Sequence, residues 1–304
     1  MITIEIPDQD TKLYMPSDLS ECDSRQYAEL CDLIFRLQHK GLPYEIFRIH
    51  AVYALLDMEV QENEVAEQQE EKMANIYQLS QLVDGFFEEG DGDTKILKQY
   101  YVHNPEEKVK LIGSRYYGPS DGFENIQFGE YIDALHLFTE FNETMEVEYL
   151  YQLMATLYRK PKSIFRKGIG NEEINGDVRR NYNRHGVADR AKKFKHLYFG
   201  KVYGFYLLFA SFQKYLATAK VYWQGRELDL SILFDNSDSD VVQSNIPGIG
   251  MKSILFTLAE SGVFGSKKEL EKENLWEILM RMYDLTKRDK DAIAQQEALK
   301  RKAT

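Results

Sequence analysis

The segment from Leu197 to Lys220 constrains the fold most. Read as a helix, it carries tyrosine, phenylalanine, leucine or valine on nearly every face. A helix that is apolar all round has to be enclosed by other elements. The most apolar stretch, Val202 to Phe212, covers only eleven residues between Lys201 and Gln213. That is well short of the roughly 18 a bilayer crossing needs, so the helix belongs inside a protein core and no membrane partner is expected. Tyr203, Phe205, Leu207, Leu208, Phe209 and Phe212 are the expected centre of that core. A chain of 304 residues with 43% hydrophobic and 29% charged residues can build such an enclosure without disulfide or metal staples.

The surrounding sequence reads as mainly α, a multi-helix domain with two or three short β-hairpins. Ile2 to Ile6 alternates, breaks at Pro7-Asp8 and resumes over Lys12 to Met15, the pattern of a hairpin. With Ser24 as N-cap, Tyr27, Leu30, Cys31, Ile34 and Phe35 keep helical spacing until Gly41. A second helix starts at Pro43 and runs to about Met58. Lys95 to Tyr101 and Val109 to Ile112 read as a second hairpin, and Val221 to Leu230, turning at Gly225, as a third. Phe128 to Tyr158 reads as a helical hairpin joined at Asn142 to Thr144. Met251 to Glu260 is expected to be helical, and a last helix from Asn274 to about Lys302 turns wholly polar after Thr286.

Charge divides the chain more sharply than hydropathy does. Residues 57 to 93 hold twelve Asp or Glu and one Lys, whereas residues 159 to 201 hold thirteen Lys or Arg and four acids. That basic stretch is +9 within a chain of formal charge −11. Composition thus suggests three parts: 1–158, a basic glycine-containing region at 159–196, and 197–304, together one cooperative unit. Within the basic part, Arg166, Lys167, Arg179, Arg180, Arg184, Lys192 and Lys193 are the candidate partner-binding residues. Phe165, Tyr182 and Phe194 interleave the cations, a mixture that also suits single-stranded nucleic acid. The acidity of the remaining chain opposes approach to phosphate, so an acidic protein surface, including that of a neighbouring copy, is the expected partner.

Motifs that would carry chemistry are weak. Asn245 to Ser253 sets glycines beside Lys252-Ser253 without the spacing that wraps a phosphate, and reads as a glycine turn before a helix. Glu130, Asp133, His136 and Glu140 share helical spacing suited to a metal, but no second Glu-x-x-His element completes a dimetal cage, and they read as the polar side of a surface helix. His50, inside an apolar stripe, reads as a hydrogen-bonded, partly buried histidine. No G-x-S-x-G elbow occurs, and neither Cys22 nor Cys31 has a catalytic signature around it. No enzymatic activity, cofactor or metal is therefore expected. Two cysteines nine residues apart fit a reducing compartment, and Met1 to Gln9 lacks the basic and apolar regions of a secretory signal.

The opening hairpin with its Tyr27-centred helix, the stretch Phe128 to Ala134, the helix end Leu153 to Arg159 and the closing Leu275 to Leu279 occur in an order that resembles bacteriophage and prophage tail-module proteins. The resemblance implies a non-catalytic role in the virion or its assembly, as a structural component or tail-assembly chaperone. It implies other phage structural or assembly proteins as partners, and the host cytoplasm or the virion as the place of action. Nucleic-acid binding through residues 159–201 is the alternative.

Overall fold

The computed structural model describes the chain except residues 7–10, 59–65, 91, 93, 112, 163–176, 219, 224, 234–265 and 304. It is mainly helical with short two-stranded antiparallel sheets, as the periodicities predict. Among the described residues no helix is long and apolar enough to cross a membrane. Contacts divide the chain into two units, Met1–Glu107 with Lys193–Ser211, and Lys108–Lys192 with Phe212–Thr304. These boundaries interleave in sequence, unlike the composition boundaries at 158 and 196.

The first unit opens with β1 (Ile2–Ile6) paired to β2 (Thr11–Met15), followed by α1 (Ser24–His39) and α2 (Tyr44–Leu56). The cap of α1 is Asp23 rather than Ser24. The Asp23 carboxylate accepts from the Gln26 amide while the Gln26 side chain accepts from the Asp23 amide, a reciprocal capping box. This frees the Ser24 hydroxyl to donate to Glu106 at 2.6 Å. Gly41, at φ +69, takes the left-handed turn that follows α1. The acidic segment folds in part as α3 (Ala66–Ser80), and β3 (Phe87–Glu89) pairs with β4 (Lys95–Leu97).

The apolar segment forms helix α7 (Phe199–Thr218), the helix α6 (Val187–Phe194) lying just before it. Tyr203, Phe205, Leu207, Leu208 and Phe209 are buried in the first unit, and Phe212 in the second. In the first unit α7 meets α1 closely because glycines face it. The Tyr27 hydroxyl donates to the Gly204 carbonyl at 2.7 Å, and the Phe35 ring lies 4.6 Å from Phe199 and 5.0 Å from Tyr203. A Cβ on Gly200 would stand 1.8 Å from the Ala28 carbonyl oxygen. Gly200→Ala is therefore expected to lower stability by about 1–3 kcal/mol or more, since backbone has to yield, and thermal unfolding would show it.

The second unit begins with β5 (Lys108–Leu111) and β6 (Ser114–Tyr117), then α4 (Phe128–Thr144) and α5 (Val147–Leu157) packed as a hairpin. The helices meet at Met145-Glu146, one or two residues beyond the expected Asn142 to Thr144, with Met145 left-handed at φ 58. The expected pairing of 95–101 with 109–112 does not form. Each arm finds a nearer partner instead: β4 takes β3, and β5 turns back at Gly113, φ +67, onto β6. A short loop costs less closure entropy than the longer one expected. The hairpin β7 (Lys220–Trp223) and β8 (Arg226–Asp229) forms as expected around Gly225, so the described residues contain four hairpins.

Helices α8 (Lys267–Leu270) and α9 (Leu275–Ala303) complete the unit. The backbone amides of Phe128 and Gly129 donate to Glu273 and Glu271, and the Trp276 indole donates to the Gly122 carbonyl at 3.0 Å. Phe123 stacks on Phe212 at 4.3 Å, and the Tyr131 hydroxyl donates to Gln213 at 2.7 Å. Met251 to Glu260 and the Asn245 to Ser253 glycine turn lie outside the described residues.

Candidate functional site

The second unit spends its cations in two ways. Tyr117 and Arg159 exchange backbone hydrogen bonds at 2.8 and 3.0 Å, and the amide of Arg180 donates to the Lys160 carbonyl at 2.9 Å. The segments around 159–162 and 178–180 thereby lie alongside the β5–β6 hairpin through isolated antiparallel bridges, Tyr117 to Arg159 and Pro161 to Arg179. The side chains of Arg159 and Arg179 turn inward. Arg159 grips the fully buried Glu130 with both terminal nitrogens at 2.8 Å. Arg179, itself fully buried, donates to the carbonyls of Leu157 and Asn125 and pairs with Asp177 at 2.8 Å. Its Nη1 lies 3.7 Å from Glu130. Arg190 donates to the Ala155 carbonyl at 2.8 Å, and burial followed by the nearby Arg159 charge lowers its pKa.

Other cations face outward. Along β5 exposure alternates, so Lys108 and Lys110 are exposed while Val109 is buried, and Lys110 stands directly opposite exposed Arg115 on β6. Beside them lies a cavity of about 440 Å³ lined by Gly113, Ser114, Arg115, Tyr117, Lys160, Pro161 and Arg180. No acidic side chain is among the described residues that line it. Lys108, Lys110, Arg115, Lys160 and Arg180 have no carboxylate partner among the described residues. The Lys160 ammonium lies over the Tyr116 ring at 5.8 Å, and the Arg180 Nε donates to the Pro161 carbonyl at 3.3 Å.

The seven cations expected at a partner surface therefore have different places. Arg180 lines the cavity, and Arg179 is interior. Arg184 is half exposed and bound to Asp133 at 2.5 Å, a contact that raises its pKa. Lys192 is exposed near Asp189 at 3.8 Å, and Lys193 is exposed on the same helix. Arg166 and Lys167 lie outside the described residues. Sequence reasoning missed Lys108, Lys110 and Arg115, which sit well before the basic stretch. The Lys108-Val109-Lys110 alternation was their available signal.

The carboxylates weighed as metal ligands are dispersed. Glu130 serves the arginines, Asp133 accepts from the Tyr182 hydroxyl and Arg184, and His136 sits 3.6 Å from Glu140. Among the described residues no group of three or more His, Cys, Asp or Glu is arranged for a metal. His50 is exposed rather than partly buried, on an open groove of the first unit where Arg25 pairs with Glu29 and Asp57 and Arg36 with Asp32. Its stripe faces inward chiefly through Phe47, Ala51, Val52, Ala54 and Leu55, which leaves position 50 outside.

A scan of protein-family models finds no match to the chain, and searches of curated proteins and of solved structures find no relative or structural neighbour. The fold and site on their own define a mainly helical protein with a basic, concave face on its second unit.

Proposed function

We propose that this chain is a non-enzymatic interaction module of bacteriophage tail assembly or virion structure, and that the basic face of its second unit holds an acidic protein surface. The observation that carries the reading is a set of cations, exposed Lys108, Lys110, Arg115 and Arg180 with half-buried Lys160, that have no carboxylate partner among the described residues. The phage setting rests on the sequence resemblance alone.

Charge complementarity names a class of partner. The first unit holds 11 Lys or Arg against 23 Asp or Glu, a net −12, whereas the second holds 27 against 26, a net +1. Another phage structural protein of similar acidity, or a second copy offering its first unit, would meet the face with opposite sign.

Reversing Arg115 and Arg180 to Glu tests this without touching the interior. The expected result is a slower, less salt-sensitive association in sedimentation and binding kinetics, with unchanged folding. Reversal at Arg179 would mislead, because that side chain holds the unit together. Tight DNA binding at about 0.15 M salt, lost in the same variant and falling linearly with log salt, would replace the protein partner with nucleic acid.

A further inference from the structure

We infer that the cavity beside the β5–β6 turn is a binding site for a phosphate-type dianion, the terminal group of a small phosphomonoester. This goes beyond the protein-partner reading, since the ligand is a small molecule and its capture needs no partner chain.

The argument starts from charge. Arg115, Lys160 and Arg180 bring three positive charges to one concavity whose described lining has no carboxylate. A side-chain carboxylate offers one charge and two oxygens. A phosphomonoester above its second ionisation offers about two charges and three terminal oxygens, which suits two guanidinium forks and an ammonium better. Ser114 adds a hydroxyl to the same wall.

The hairpin itself supplies the second argument. Lys110 and Arg115 are directly opposed across β5 and β6, both exposed. Like charges in that register destabilise a sheet, and no carboxylate among the described residues relieves them. A bound dianion would. The cavity, at about 440 Å³, also has room for an organic group beyond the phosphate, with the half-exposed Tyr117 ring as a wall.

The test titrates the full chain with inorganic phosphate and with phenyl phosphate at about pH 8, against sodium chloride at matched ionic strength, by calorimetry and thermal shift. The expected result is saturable binding, a raised melting temperature and tighter binding of phenyl phosphate. Arg115→Gln and Arg180→Gln should each weaken it roughly tenfold to a hundredfold, the span of a charge-assisted hydrogen bond. Lys192→Gln should leave it unchanged. Lys110→Glu supplies an independent readout, since removing the like-charge pair should raise the melting temperature of the free protein while weakening phosphate binding. Protection no greater than chloride gives, or binding indifferent to both arginine substitutions, would overturn the inference. So would an oligonucleotide lacking terminal phosphates that binds more tightly than phenyl phosphate, since the face would then track a strand. A failed phosphate titration beside an intact, salt-sensitive protein association would remove this inference and leave the proposed function standing.

Discussion

Glu130→Ala should destabilise the second unit by about 3–5 kcal/mol, the cost of leaving buried cations uncompensated. Glu130 and Arg179 are fully buried, Arg159 is 3% exposed, and the two guanidiniums converge on the one carboxylate from 2.8 and 3.7 Å. Removing the acid strands both charges where water cannot reach them. Asp177, partly exposed, lies 3.6 Å from Arg159 and 2.8 Å from Arg179 and relieves only part of the excess. Urea denaturation with tryptophan fluorescence should report the loss, since Trp276 belongs to this unit. Replacing Glu130 and Arg159 together with leucine and methionine should cost far less than Glu130→Ala, because desolvation of the pair offsets much of its attraction. A loss below about 1 kcal/mol in the single variant would show that the arginines reach solvent or another acid.

Phe209→Ala should cost about 3–5 kcal/mol, the range for deleting a buried aromatic ring that leaves a cavity behind. Phe209 is fully buried on α7, as are Leu207 and Leu208 within a few per cent. A helix covered on so many sides cannot collapse into the space on one of them. Chemical denaturation should show the midpoint falling with little change in slope. Phe209→Leu, which keeps most of the volume, should recover much of the loss.

The helices were legible because their signal is periodic and repeated. α1, α2, α4, α5 and α7 each carry five or more apolar residues at helical spacing, and one misplaced residue does not erase the pattern. Hairpin partners were less legible. A strand of three or four residues, such as Lys95–Leu97 or Lys108–Leu111, carries too short an alternation to name its mate, and Gly113 alone marked where the chain reversed.

The candidate site was legible only as an excess of charge. Sequence shows that residues 159 to 201 are basic, but inward and outward cations look alike in it. Arg179 and Arg180 are neighbours, one fully buried and the other exposed, because adjacent side chains on an extended segment point to opposite sides. What separates them is the partner, and Glu130 lies 49 positions from Arg179. Glu130 itself has the spacing of a surface residue, for the same reason.

The interleaved boundaries of the two units set an order of events while the chain is being made. The second unit's 108–192 segment is synthesised between the two pieces of the first, Met1–Glu107 and Lys193–Ser211. When Glu107 leaves the ribosome, α1 is complete, yet Gly200 and Gly204, which pack against Ala28 and Tyr27, and the Phe199 and Tyr203 rings that cover Phe35 lie roughly 90 residues or more downstream. At ~5–20 residues per second the nascent first unit waits several seconds with that apolar face of α1 uncovered. The vulnerable species for this protein is thus the half-translated chain, and a ribosome stalled before Lys193 would release a fragment with an open hydrophobic seam.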